Sequence, residues 1–275
     1  MKPKRPPADA SSRAKGIVRS LRKATTLLRD RYLWRHQVRL ATWLRHGRHH
    51  VAPIDPFQNI SLDPSTVDRW IDFDRDDFMR VRFDFGVRGG DWDLVTEPID
   101  QHFVFASIDA RFNRGLDWDE TPIAAVARAG IAAGDGRYHG CRTEEQLAAR
   151  WEQLDALYQR VRNEGYRSQR ELGNGDHPLR RRRNRPPEID EVMVNIGRDG
   201  AIIFIDGIHR FSVARVVGVP SIPACVLTRH AAWQAYRDRV ARAPADFPPS
   251  VFEHPDLATL RPAGAHGGTA TGGRT

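Results

Sequence analysis

Gly207, His209 and Arg210, in the stretch "IIFIDGIHRFSVARVVG", are the residues whose types and spacing best suit a defined chemistry, the binding of an anion. Arg210 offers a planar fork matched to phosphate oxygens, and His209 adds a ring donor. Gly207 lets the chain turn sharply with no side chain in the way. An apolar run precedes these residues, and a helical pattern follows them as far as Gly218. They therefore fall at a helix start, where unpaired backbone N–H groups and the positive end of the dipole favour negative charge.

The flanking sequence predicts the elements that position this turn. "EVMVNIGRDGAIIFIDG" reads as two short apolar strands joined through Arg198-Asp199-Gly200, since Asp-Gly favours a tight hairpin. "HRFSVARVVG" reads as a helix, "IPACVLTRH" as a further strand, and residues 231 to 243 as an amphipathic helix carrying Trp233, Tyr236 and Val240. Upstream, Thr143 to Gln146 forms a capping box, with the Thr hydroxyl accepting three residues on and Gln146 reaching back. Leu147, Trp151, Leu154, Leu157 and Val161 then recur at helical steps until Gly165. Thr121-Pro122 opens another helix, with Thr as N-cap, that runs to Gly134. Met79, Val81, Phe83 and Phe85 alternate as a strand would, and residues 57 to 62 are extended, with a helical turn opening at Asp63-Pro64.

Charge divides the chain. Residues 1 to 50 hold fourteen Lys and Arg against two acids, a net of +12, whereas the remainder is net −4. Within this arm, residues 1 to 15 read as disordered. From Gly16 to His46 a basic amphipathic helix is expected, with Ile17, Leu21, Ala24, Leu28, Trp34, Val38 and Ala41 on its apolar side and a break near Asp30. Such a helix docks on its own domain, lies on an anionic membrane surface, or tracks the phosphates of nucleic acid. The arginine run at 180 to 185 is a second candidate polyanion contact. The folded body is expected from about 51 to 258, and the Gly- and Thr-rich tail, 259 to 275, should be disordered. Cys141 and Cys225 match no disulfide framework or zinc spacing and should pack as small apolar groups. With no apolar run long enough for a signal core or a membrane span, the expected location is cytoplasmic, with the arm allowing a membrane-peripheral one.

From about 150 to 230, the order of helix, hairpin, Asp-Gly-Ile-His-Arg turn, helix and closing strand resembles the ParB/sulfiredoxin superfamily. The resemblance implies an α+β fold, a small mixed sheet with packed helices, here preceded by the basic helical arm. It also implies that the turn binds nucleotide phosphates. Sulfiredoxins carry a reactive Cys where Ile208 stands, which argues against their chemistry; chromosome-partitioning ParB proteins carry Gly-Glu-Arg-Arg and bind CTP. The free serine kinases carry a turn most like Asp206 to Arg210, so a phosphotransferase using ATP or ADP is expected, CTP not excluded, with Mg²⁺ and a small-molecule or glycan-precursor hydroxyl as acceptor. The alternative is a non-enzymatic, nucleotide-regulated DNA- or RNA-binding protein.

Phosphoryl transfer requires phosphate donors and a carboxylate to orient or deprotonate the acceptor. Beside His209 and Arg210, the Ser212 hydroxyl is a candidate donor, and Asp206 a candidate to hold Mg²⁺ through water or to fix its neighbours. "VRGGDWDLVTE" supplies Asp91 and Asp93 as candidate catalytic acids, Trp92 as a platform for base or sugar, and Arg88 as a further phosphate contact. In ParB-like domains the junction after the long helix approaches the nucleotide, which implicates Ser168, Gln169 and Arg170.

Overall fold

The computed structural model describes residues 33–71, 86–173 and 186–262. The strand expected at Met79 to Phe85, residues 1–32 of the arm, the arginine run at 180 to 185 and the tail from 263 lie outside these residues. Within them are seven strands, β1 (Asn59–Leu62), β2 (Arg69–Trp70), β3 (Gly86–Arg88), β4 (Glu97–Pro98), β5 (Val192–Ile196), β6 (Ile202–Asp206) and β7 (Ile222–His230). Seven helices accompany them: α1 (Trp34–Arg45), α2 (Phe103–Asn113), α3 (Pro122–Ala133), α4 (Glu144–Glu164), α5 (Gln169–Leu172), α6 (Ile208–Val217) and α7 (Ala231–Arg242).

The strands form one mixed sheet in the order β1-β7-β5-β6-β2-β4, with β3 also paired to β7. β5 occupies one edge of β7 over residues 224 to 229, so β1, at 222 to 225, and β3, at 228 to 230, must share the other edge end to end. Four of the seven strands come from the first half of the chain. That half is therefore built into the same sheet as the predicted hairpin and closing strand, and the fold is α+β.

The β5–β6 hairpin forms as its turn residues predict. The Gly197 N–H donates to the Ala201 carbonyl at 2.9 Å, Asp199 Oδ1 accepts from the Ala201 N–H at 2.9 Å, and Gly200 takes φ +90°. A Cβ at Gly200 would also stand 2.6 Å from the Trp233 ring, so glycine is required there twice over. Strand alternation then sorts side chains to two buried faces. Ile202, Phe204, Val192, Val194, Ala224 and Val226 meet Phe211 and Ala214 of α6 on one face. Ile203, Ile205, Met193, Cys225 and Leu227 meet Phe57, Trp92 and, from α1, Trp34 and Val38 on the other.

Behind α6, a third apolar cluster joins it to α2, α3 and α4. All five apolar positions predicted on α4 are buried there, and at roughly 1.5–3 kcal/mol each their packing outweighs any helix propensity. Two cap details differ from expectation. Thr143 accepts from the Gln146 N–H at 3.3 Å, but the Gln146 carboxamide accepts from the Arg142 N–H rather than from Thr143. Thr121 holds the N-cap position but turns its hydroxyl back to the Trp118 carbonyl at 2.6 Å, and the Ile123 N–H in the first turn of α3 donates instead to the Ser107 hydroxyl at 2.9 Å.

The described part of the basic arm docks. Trp34 meets Phe57 edge to face at 5.9 Å, Arg35 pairs with Glu188 at 2.9 Å, and Arg39 pairs with Asp55 at 2.8 Å. At the other end of the chain the body continues a little past the expected limit, because Leu260 packs against the core. No helix among the described residues is long and apolar enough to cross a membrane.

Candidate functional site

β6 leaves the sheet at Asp206, and Gly207 takes φ +91° and ψ 26° to start α6. A Cβ at Gly207 would lie 3.2 Å from the Val192 Cα, so the turn has room for glycine alone. Asp206 Oδ1 accepts from the Gly207 N–H at 2.7 Å, and no side chain caps α6. Arg210 reaches back over this end of the sheet. Its Nη2 donates to the Asp190 carbonyl, and its Nη1 stands 3.5 Å from Glu191 Oε2. Glu191 is 3% exposed, and its other oxygen accepts from the Gln169 N–H at 2.6 Å.

Four buried polar atoms collect here without a hydrogen-bond partner: Arg210 Nη1, Glu191 Oε2, Gln169 Nε2 and the Tyr166 hydroxyl. Each such group costs about 1–3 kcal/mol when left unmet. Burial pushes the Glu191 carboxyl up to about 7, against the opposing pull of Arg210 and the Gln169 N–H. Burial also pushes the Tyr166 phenol up to about 12, against the opposing pull of Arg210, so it remains a neutral hydroxyl able to donate. The cluster adjoins a small, partly open cleft lined by Arg160, Tyr166, Arg167 and Arg210 over the apolar side chains of Leu157 and Val161. A cationic cleft with buried, unmet donors beside an uncapped helix start is suited to an anion of phosphate type.

Of the residues singled out in sequence, Gly207, Arg210 and Gln169 meet at this place. His209 does not join them. Successive residues on a helix diverge by about 100°, and His209 turns to the helical side, 8% exposed, with Nε2 at 3.0 Å from the Tyr138 hydroxyl. Burial first, then the neighbouring His139 and Arg150, hold its pKa well below the usual imidazole value. It is a neutral core histidine, which removes it as a cationic donor. Ser212 lies one turn further in and is fully buried, and its hydroxyl also lacks a hydrogen-bond partner. Ser168 caps α5 in a closed box with Glu171 at 2.7 Å, and Arg170 projects into solvent with Glu188 at 3.5 Å.

Asp91, Asp93 and Arg88 are placed elsewhere. Arg88 is in register with His230, and Asp93 lies against the β5–β6 hairpin, at the far end of β6 from Gly207. With five residues in β6, the two ends are separated by at least about 13 Å of strand rise. Asp93 is consumed by Arg198, accepting from its backbone N–H at 2.8 Å, its Nε at 2.9 Å and its Nη2 at 2.8 Å. Burial alone would raise its pKa, but these donors prevail and hold it below the usual carboxylate range. Exposed Asp91 takes another bond from Arg198, at 2.7 Å, and the Trp92 ring is buried, closed to a base or sugar. The acids expected to act at the helix start are thus a clasp on the hairpin, because their partner Arg198, more than a hundred residues away in sequence, folds onto them.

The acid that does stand beside Arg210 is Glu191, which the sequence reading passed over. Its only signal is position: a carboxylate directly ahead of a mostly apolar strand, in "EIDEVMVNI". Tyr166 and Arg160 were likewise hidden in an ordinary helix end. Both cysteines are buried free thiols, as expected. Among the described residues, no three of His, Cys, Asp and Glu are grouped so as to hold a metal. No protein-family model, no curated protein and no solved structure matches this chain.

Proposed function

We propose that the chain binds a nucleotide by its phosphates at the start of α6 and moves a phosphoryl group from ATP or ADP to the hydroxyl of a small molecule or glycan precursor. The observation that carries this reading is the set of four unmet buried polar atoms, Arg210 Nη1, Glu191 Oε2, Gln169 Nε2 and the Tyr166 hydroxyl, beside a cleft rimmed by arginines. The resemblance of residues 150 to 230 to the ParB/sulfiredoxin superfamily supports the choice of a nucleotide over a simple anion.

In this reading, Arg210, Arg160 and Arg167 neutralise the phosphates, and Gln169 and Tyr166 supply neutral donors that orient them. Glu191 takes the proton of the acceptor hydroxyl as its oxygen bonds to phosphorus. The bond from phosphorus to the bridging oxygen breaks, and the shortened nucleotide leaves with the electron pair. A carboxyl held near 7 is suited to receive and return that proton at neutral pH. Mg²⁺ arrives with the nucleotide, whose phosphates and water satisfy most of its six positions. Among the described residues the protein has no grouped set of metal ligands of its own.

The test is a thermal melt of the full chain with ATP, ADP or CTP, with and without Mg²⁺, followed by an assay for phosphorylated product over a panel of hydroxyl acceptors. At a hundredfold excess over Kd, a bound nucleotide should add about 2.7 kcal/mol of stability. Arg210→Lys and the rim variant Arg160→Ala should weaken that response. Glu191→Gln should keep it while product formation falls by about 10² or more. If no nucleotide moves the melt, the reading is wrong. Binding with no product from any acceptor would leave the nucleotide-regulated, non-enzymatic alternative in its place.

A further inference from the structure

We infer that α1 is a membrane-surface helix that seats the protein on anionic lipid. The helix has two apolar sides, and the body uses only one. Trp34, Val38 and buried Thr42 recur at four-residue steps and face the sheet, with Arg35 and Arg39 tied down beside them by Glu188 and Asp55. Leu33, Leu40 and Leu44, spaced by seven and four, lie on the opposite side with Trp43 at their margin, and these four are 47–56% exposed. They are half of the eight large apolar side chains exposed among the described residues, within one short helix. Trp43 lies over Gly47, where a Cβ would approach its ring to 2.7 Å, so its indole is held outward by the chain itself.

The composition around this stripe selects the occupant. Residues 33 to 50 contain four arginines and four histidines and no acid, and the whole arm is net +12. A narrow leucine and tryptophan stripe flanked by cations, on a helix lying flat against its own domain, matches the headgroup layer of an anionic bilayer. There the apolar side chains enter the acyl boundary while exposed Arg45 and Arg48, beyond the two arginines held by the body, meet lipid phosphates. The attachment also has a direction. Arg35 holds Glu188, so one side of α1 is fixed to the body and the leucine side is left facing outward. This inference does not depend on the nucleotide reading, since it rests on α1 alone.

Vesicle flotation of the full chain tests it, using phosphatidylcholine alone and phosphatidylcholine with about a third phosphatidylglycerol. The variants are a triple change, Leu40→Ser with Trp43→Ser and Leu44→Ser, and a control, Leu94→Ser with Val95→Ser, which removes exposed apolar groups outside the arm. All five positions are exposed, so folding should survive. The expected result is flotation of wild type and control with anionic vesicles, at least about tenfold weaker with neutral vesicles and with the triple variant. No flotation of the wild type overturns the inference, as does equal flotation of the triple variant, which would mean that charge alone suffices. It is also overturned if a DNA duplex competes the wild type off the vesicles and binds the triple variant equally well, or if the stripe proves to join two copies in solution without lipid.

Discussion

Each end of β6 sets an arginine against a buried carboxylate, and the two pairs are built in opposite ways. At the hairpin, Arg198 gives Asp93 three short hydrogen bonds and spends its remaining reach on Asp91 and the Gly90 carbonyl. The carboxylate is held charged, below its usual range. At the helix start, Arg210 Nη1 pairs loosely with Glu191 Oε2 at 3.5 Å, each of these atoms lacks a hydrogen bond, and the carboxyl is pushed up to about 7. A satisfied pair fixes geometry and leaves nothing for a ligand. An open pair is costly to the fold and retains capacity to bind and to exchange a proton, so the difference identifies where ligand chemistry resides.

The strongest challenge to this contrast is Asp93→Ala. It should cost about 3 kcal/mol in urea unfolding, because Arg198 and the hairpin N–H lose their acceptor, yet leave the nucleotide response of the folded protein unchanged. A loss of that response equal to the loss caused by Arg210→Lys would erase the distinction between the ends.

Glu191→Gln sharpens it through pH. The unfolded glutamate releases its proton near 4.5, whereas the folded one keeps it until about 7. Between those values the folded state holds the extra proton, so this group's contribution is complete below about 4.5 and is lost as pH rises through 7. The loss is up to about 3 kcal/mol. Unfolding measured across that range should show the decline in wild type and a flatter profile in the variant; parallel profiles would mean the carboxyl is not raised.

Gly207→Ala should cost about 1–3 kcal/mol, since φ +91° is strained for alanine and the new methyl meets the Val192 backbone. It should also blunt ligand binding, which an equally destabilising hairpin change should not do. The smallest effect expected is that of Asp91→Asn, whose exposed contact with Arg198 is worth less than about 1 kcal/mol and whose loss should leave turnover intact. A marked fall in turnover would return Asp91 to the list of working acids.

Local signals carried much of this fold. The Asp199-Gly200 turn, the αL glycines at 134 and 218, and the apolar steps of α4 depend on neighbours within a few residues, and each formed where its sequence placed it. The turn at Gly207 was legible for the same reason. What failed was the assignment of partners. His209 and Arg210 are adjacent in sequence, so they seemed to converge, but the helix sends them to different surroundings. Asp93 looked unengaged because Arg198 is remote in sequence, and Glu191 looked like an ordinary charge ahead of a strand. Only tertiary packing against Gln169 and Arg210 buries it and changes its proton affinity.

The sheet's outer margins bear on how other molecules can approach. Among the described residues, one margin is the two-residue β4, and the other is the four-residue β1 with the three-residue β3 beside it. Over these described rows an incoming extended chain finds few backbone groups to pair with. Apolar association has a better start on the helices, where the outward leucines of α1 are the region to watch when the protein is concentrated without lipid.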